Sequence, residues 1–444
     1  MKKLLEAAEK NSKLILDAEQ YIWNNPETGF KEYKTSEYLA NIFKELGYEP
    51  VLAGNIPGFF ATVDTGKPGP TLLVLGEMDS VICPQHECAN PETGAVHACG
   101  HHVQCAALIG IAAALKEPGA LDNLYGKIKL CAVPAEELLE IEYRSKLREN
   151  GIIKYLGGKS EFLYRGYFDD VDLAFMVHAS STFSVSLGNV GCLAKKITYK
   201  GKASHAGGSP WYGINALYAA NCGLNAINAI RETFEEKDIV RVHPIITEGG
   251  FMVNAIPEKA TIESYIRSSS FDGIIKTNKK VNRALCGAAL SLGANVDISD
   301  FPGYAPLLND INLIGVAKEA ANLSLPEKEF VVNEQIDSGS TDMGDLCCVM
   351  PVVHPYSSGA IGTSHGSDYY IEDHQTACVG GTKFQLAMIH ILMSENAIRA
   401  KKIVADAKPP FANKEEYFSL VDSLSSNGDR LEYLDDFSIK INIK

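Results

Sequence analysis

Apolar and polar positions alternate along the chain in blocks that predict helices and buried strands in turn. Residues 1–24 scatter Lys2, Lys3, Glu6, Glu9, Lys10, Lys13, Asp17 and Glu19 among apolar positions, the pattern of one amphipathic helix. Short apolar runs at 71–75, 127–133 and 171–177 predict buried strands. The first ends at Gly76-Glu77-Met78-Asp79, the second at Pro134-Ala135-Glu136-Glu137 and the third at His178. A fourth run, 347–353, predicts a strand that leads into a Ser- and Gly-rich loop carrying His365. Acids and imidazoles at the carboxyl ends of strands stand where open α/β sheets bind their ligands.

Between 190 and 302 the pattern changes. A strand at 193–199, a helix at 213–234, strands near 240–247 and 260–268 and a helix at 271–292 follow a β-α-β-β-α-β order, which predicts a small inserted α+β domain. The α/β pattern then resumes. A chain of 444 residues exceeds what one core accommodates. It divides into an α/β catalytic domain with a mostly parallel sheet, in two pieces (1–189 and 303–400), and an inserted lid (190–302). A charged C-terminal extension (401–444) contains Lys408-Pro409-Pro410 and is expected to wrap the surface.

Composition narrows the class. Apolar residues at 46% and charged residues at 22% are the balance of a soluble globular enzyme. A formal charge of −14 argues against a nucleic-acid partner, which needs a basic face. The charged N-terminus cannot supply the apolar core of a signal peptide. No run of about 18 uncharged apolar residues occurs, so no membrane span is expected. Eleven cysteines, an odd number without a secretory signal, predict reduced thiols in the cytoplasm and leave some free to bind metal.

The densest chemistry is His97-Ala98-Cys99-Gly100-His101-His102, one thiol and three imidazoles of the kind Zn²⁺ selects, although such clusters also cap helices. Glu136-Glu137 follow a buried strand, where paired carboxylates call for a cation. One would bind the ion and the other would take the proton of the attacking water. The alternative is an acidic helix N-terminus. His178 and His365, taken singly, are compatible with a satisfied strand end and an ordinary loop histidine.

Several segments in order resemble the aminoacylase and carboxypeptidase type of metallo-amidohydrolase, in the branch of aminobenzoyl-glutamate hydrolase, auxin-conjugate hydrolases and aminoacylase-like dipeptidases. They are Asn25-Pro26-Glu27-Thr28-Gly29-Phe30-Lys31-Glu32, Glu77-Met78-Asp79, His97-Ala98-Cys99-Gly100-His101, Pro134-Ala135-Glu136-Glu137, His178, Gly201-Lys202-Ala203-Ser204-His205-Ala206-Gly207, Asn254-Ala255-Ile256-Pro257, Ser340-Thr341-Asp342-Met343-Gly344-Asp345 and His365. The resemblance implies a zinc-exopeptidase-like α/β domain and a ferredoxin-like lid through which the chain forms a homodimer.

It further implies two divalent ions, Zn²⁺ or Mn²⁺, held by Cys99, His101, Glu137, His178 and His365, with Glu136 as general base and Asp79 orienting a ligand from behind. His205, on the lid, would donate to the developing oxyanion, and Asn254 and Arg267 would bind the substrate's carboxylate. The glycines Gly201, Gly207 and Gly208 around His205 allow close backbone approach. The implied reaction is hydrolysis of an amide or peptide bond in a small dipeptide or N-acyl amino acid, aminobenzoyl-glutamate conjugates included.

An N-acetyl or N-acyl amino acid deacylase is the nearest alternative. An inactive metal-dependent binding protein is another, and a cysteine hydrolase using Cys99 and His101, needing no metal, a third. His102 departs from the branch, which has Asp or Asn there, and adds an imidazole that would act on metal affinity or proton traffic. Cys83-Pro84-Gln85-His86-Glu87-Cys88 is expected as a solvated loop with incidental thiols, with a separate metal site or a redox-sensitive flap as alternatives.

Overall fold

The computed structural model describes residues 1–434 and 438–442. The chain forms two compact units. The first comprises Met1–Gly188, Leu307–Asp337 and Thr341–Lys414. Its N-terminal stretch makes two helices, Lys2–Lys10 and Ser12–Trp23, where the pattern predicts one. Asn11 breaks it at φ −94° and ψ 12°, and its side-chain amide donates to Ala7 O at 2.9 Å. That local bond competes with continuation of the helix.

A six-stranded sheet runs in the order Val51–Leu52, Phe59–Asp64, Lys127–Val133, Thr71–Glu77, Leu173–Met176 and Val352–Val353. The last four strands are mutually parallel, and the first two are antiparallel to their neighbours. Thr71–Glu77 is buried at every position, which suits a central strand covered on both faces. Helix His101–Leu115 packs on this strand and on Ser12–Trp23 and is buried throughout, hence its apolar character all round. A second sheet orders Leu307–Leu308, Ser184–Asn189, Tyr356–Ser358 and His178–Ser180, with Val331–Asp337 paired to Ser184–Asn189.

The strand expected at 347–353 is largely absent. Helix Met343–Cys347 covers its start, and only Val352–Val353 joins the sheet, opposite Ala174 and Phe175. A short apolar run does not distinguish a buried helix from a strand, and Pro351, which has no N–H, delays the ladder to the next residue.

The second unit comprises Asn189–Pro306, Ser338–Ser340 and the described part of Glu415–Lys444. Its antiparallel sheet orders Arg241–Glu248, Lys259–Ser268, Gly191–Lys200 and Asn295–Tyr304. Helices Ala216–Ile230 and Phe271–Ser291 pack on each other and on that sheet, which gives the ferredoxin-like arrangement. The first helix starts at Ala216 because Asn215 caps it, its Oδ1 accepting from Tyr218 N at 3.0 Å. Ile197, Ile262 and Leu285 fill the core at 0% exposure, each contributing about 1.5–3 kcal/mol.

The C-terminal stretch 401–444 contains most of helix Ile398–Asp406, then Lys414–Leu424 and a hairpin of Leu431–Tyr433 with Ile439–Ile441. From Glu415 it belongs to the body of the second unit. Tyr417 and Leu431 are buried, and Arg430 donates to Ile298 O at 2.7 Å. Residues 435–437 and 443–444 of that stretch lie outside the described residues.

Candidate metal centre

Three loops of the first unit meet at the carboxyl ends of its strands, and each has a residue in the left-handed region at or beside a candidate site residue. These are Gly100 at φ 92°, between Cys99 and His101, Ala135 at φ 57°, ahead of Glu136, and His365 itself at φ 65°. For Ala135 and His365 that conformation costs about 1–3 kcal/mol each and persists where surrounding structure dictates it, as at functional sites.

Cys99 Sγ lies 3.4 Å from Nε2 of His178 and 3.4 Å from Nε2 of His365. The same His365 nitrogen is 2.9 Å from Glu137 Oε1. Two donor groups result, Cys99 with His101 and His178, and Cys99 with Glu137 and His365, the atoms of each lying within 4.8 Å of one another. They share the thiol. A third group joins Glu77, His101 and Glu136.

The imidazoles are oriented from behind. His101 Nδ1 is 2.9 Å from the main-chain oxygen of Asp79 and 3.1 Å from its Oδ1, and His178 Nδ1 is 2.7 Å from Ala179 O. Both partners accept, so the proton sits on Nδ1 and the Nε2 lone pair turns inward, as metal-binding histidines require. Asp79 Oδ2 also accepts from Glu137 N at 2.8 Å, which ties the carboxylate loop to the imidazole.

His101 Nε2 and Glu137 Oε1 are buried and make no hydrogen bond. Glu77 Oε2 at 3.2 Å and His365 Nε2 at 2.9 Å approach them closely, but not in hydrogen-bond geometry. Donors crowded in this way surround common points as ligands do. One thiolate, three imidazoles and carboxylates are a set that borderline and harder divalent ions accept, so the residues present fit a pair of such ions.

Burial and Glu137 raise the Cys99 thiol, but His101 and His178 prevail and bring it to about 5. Burial likewise raises Glu137, and His365 outweighs it, bringing the carboxyl to about 2. Glu136 moves the other way, pushed well above the usual carboxyl range by burial and then by Glu77, Glu137 and Asp342.

Two members of this neighbourhood escaped the sequence reading. Glu77 closes its strand, and two-residue alternation puts it on the strand face that Asp79 continues. Lys159, on helix Gly158–Tyr164, bonds the fully buried carboxylates of Glu77 and Asp342, and no pattern around it signals that task.

His102 does not add an imidazole to the centre. Its Nε2 is 3.2 Å from Glu19 Oε1, and its ring packs 5.0 Å from Trp23 and 5.3 Å from His97. Successive helical residues point about 100° apart, so His101 and His102 face different surroundings. The 83–88 loop is not solvated around its histidine either. His86 is 3% exposed, its Nε2 lies 2.9 Å from Tyr369 O, and its Nδ1 accepts from Cys88 N at 3.0 Å. Both ring nitrogens are spent on the main chain, which makes the residue a brace rather than a ligand.

In the second unit, His205 Nδ1 accepts from Gly207 N at 3.2 Å and Gly208 N at 2.9 Å, so the ring of this exposed residue presents Nε2–H as a donor. Ala206 N donates to Asn254 O at 2.9 Å, which brings Asn254 beside it. Arg267 lies on Lys259–Ser268 with its guanidinium carbon 5.7 Å from the Tyr265 ring centroid, and its Nε is buried without a hydrogen bond.

Residues 73–390 match the model of peptidase family M20/M25/M40. The chain is 30% identical over 393 residues to human Xaa-Arg dipeptidase, covering 82% of this chain and 80% of that protein. To the Xaa-Arg dipeptidase of Mus musculus it is 29% identical over 423 residues, with 91% and 87% covered. A solved Bacillus subtilis structure, described as a dinuclear metal-binding peptidase of the M20 family, superposes with a TM-score of 0.64 at 19% identity, covering 87% of this chain and 99% of that one.

Proposed function

The chain belongs to peptidase family M20/M25/M40, a family of metallopeptidases and amidohydrolases, and from that premise we propose that it hydrolyses the amide bond of a small dipeptide or N-acyl amino acid. The observation that carries this reading is the pair of donor groups sharing Cys99, with the lone pairs of His101 and His178 held inward. In it Cys99, His101, Glu137, His178 and His365 bind two divalent ions, Zn²⁺ or Mn²⁺. Bound there, the ions supply Lewis-acid polarisation of the substrate carbonyl and acidify the attacking water.

Glu136 does the proton work. Its carboxylate adjoins the ligand Glu137, with Oε2 4.0 Å from His101 Nε2, where it takes the proton of the attacking water and returns it to the leaving amine. His205 donates from Nε2–H to the developing oxyanion. Arg267 and Asn254 receive the substrate's carboxylate, for which the planar guanidinium is suited. The chain works as a cytoplasmic homodimer joined through the lid in a twofold contact. Among the described residues no helix is long and apolar enough to cross a membrane.

The test is hydrolysis of a panel of dipeptides, Xaa-Arg peptides among them, and N-acyl amino acids, before and after chelation, with metal content measured and Glu136→Ala in parallel. Activity is expected to vanish on chelation, return with Zn²⁺ or Mn²⁺, and be absent in Glu136→Ala with metal still bound. Chelator-resistant turnover blocked by alkylation would transfer the reaction to Cys99 as nucleophile.

A further inference from the structure

Apart from the metal centre, the first unit holds a cavity of about 140 Å³ whose lining includes Glu19, Trp23, Cys88, Tyr370 and His374. The hydrolytic reading makes no use of it. The rings of Trp23 and Tyr370 contribute to its lining, their centroids 6.2 Å apart at an interplanar angle of 41°. Glu19, 3% exposed, supplies a carboxylate with an imidazole beside each oxygen. Oε2 is hydrogen-bonded to His374 Nδ1 at 3.1 Å, and Oε1 lies 3.2 Å from His102 Nε2 without hydrogen-bond geometry. Among the described residues no lysine or arginine lines the cavity.

Two features set this apart from an ordinary packing defect. Burying a carboxylate beside open space is costly, and an apolar side chain filling that space would be the stable solution. His374 also heads Gln375–Gly380, a π-helical turn, and such turns are uncommon and concentrate at functional sites. Aromatic rings beside a buried carboxylate form a recognition set for cations. A cation over a ring face gains about 0.5–2 kcal/mol, and the carboxylate attracts its charge and accepts hydrogen bonds where the cation is a primary ammonium.

We propose that this cavity is a binding site for a small organic cation, a primary or quaternary ammonium of about the size of tetramethylammonium. Glu19 in turn lies 3.2 Å from Nε2 of His102, the chain neighbour of His101.

The chain has two tryptophans, Trp23 and Trp211, so in the metal-loaded Trp211→Phe protein the indole emission reports on Trp23 alone. Titration with tetramethylammonium chloride is expected to give a saturable change. The neutral isostere tert-butanol, in matched salt, is expected to bind about tenfold more weakly or worse. Tyr370→Ala, at the cavity wall, is expected to weaken the cation by about tenfold while leaving turnover intact. Tetramethylammonium is also expected to slow alkylation of Cys88, the exposed thiol among the described residues, by several-fold. Equal response to tert-butanol, unchanged affinity in Tyr370→Ala, no protection of Cys88, or saturation by Zn²⁺ alone would each overturn the proposal. Because the readout is binding, its failure leaves the hydrolytic reading untouched.

Discussion

Asp79 grips His101 with two of its own oxygens, the main-chain oxygen at 2.9 Å and Oδ1 at 3.1 Å from Nδ1, while its Oδ2 takes Glu137 N at 2.8 Å. One residue therefore sets the tautomer of an imidazole, through main chain and side chain together, and its side chain seats the carboxylate loop. Asp79→Ala is expected to lower metal affinity about 10–100-fold, measured by competition with a chromophoric chelator. Wild-type affinity in that variant would mean that the main-chain oxygen alone orients His101 well enough and that the bond from Glu137 N does not matter to binding.

Lys159 stands between Glu77 and Asp342, and all three side chains are at most 1% exposed. Burial raises both acids and Lys159 lowers both. His101, His178 and His354 also draw Glu77 down, below the usual carboxyl range, whereas burial and the neighbouring Glu77 push Asp342 up. Lys159→Met removes the shared cation and is expected to cost about 3–5 kcal/mol in urea unfolding. Lys159→Met/Asp342→Asn should regain part of that loss, because one buried charge goes with it. An unchanged urea midpoint in the single variant would sink this account.

What the sequence made legible was governed by local chemistry. The acids closing 71–75 and 127–133 and the imidazole closing 171–177 were readable because continuous apolar runs ended on groups with no reason to be buried. The structure brings Cys99, His101, Glu137, His178 and His365 together from four separate segments. Lys159 was not readable, because a buried lysine is defined by partners at Glu77 and Asp342, which are remote in sequence. The start of 347–353 has the pattern of a strand and folds as a helix, because periodicity alone does not separate a short buried helix from a strand. His102 stands away from the centre because sequence adjacency to His101 does not survive the turn of a helix.

Gly100 is held at φ 92°, and a Cβ added to it would meet Tyr369 Oη at 2.4 Å and Ala179 Cβ at 2.9 Å. Gly100→Ala is therefore strained twice. It is expected to lose about 1–3 kcal/mol from the backbone term alone and to bind metal more weakly, since Cys99 and His101 flank the turn. Gly100→Ala/Tyr369→Phe relieves the hydroxyl contact but not the φ, so calorimetry should show partial recovery. Full recovery would mean that the clash and not the backbone sets the requirement for glycine.

In the second unit, Asp300 bonds Lys195 through Oδ1 and accepts through Oδ2 from Ser426 Oγ at 2.8 Å and Asn278 Nδ2 at 3.1 Å. Burial pushes its carboxyl up, but Lys195, Asn278 and Ser426 together hold it below the usual range. A carboxyl whose folded pKa lies below its unfolded value near 3.9 adds stability above that value and loses it as pH falls through the folded one. Acid should therefore loosen the C-terminal segment, where Arg430 N donates to Val296 O at 2.8 Å. Hydrogen exchange at the Arg430 amide is expected to accelerate from about pH 4 downward, after correction for intrinsic rates. Asp300→Asn should be destabilised at neutral pH by about 3–5 kcal/mol, because Lys195 is left buried without its counter-charge. The variant should also lack this carboxyl's share of the acid response. Parallel pH curves for the two proteins would show that Asp300 is not the group whose protonation releases the segment.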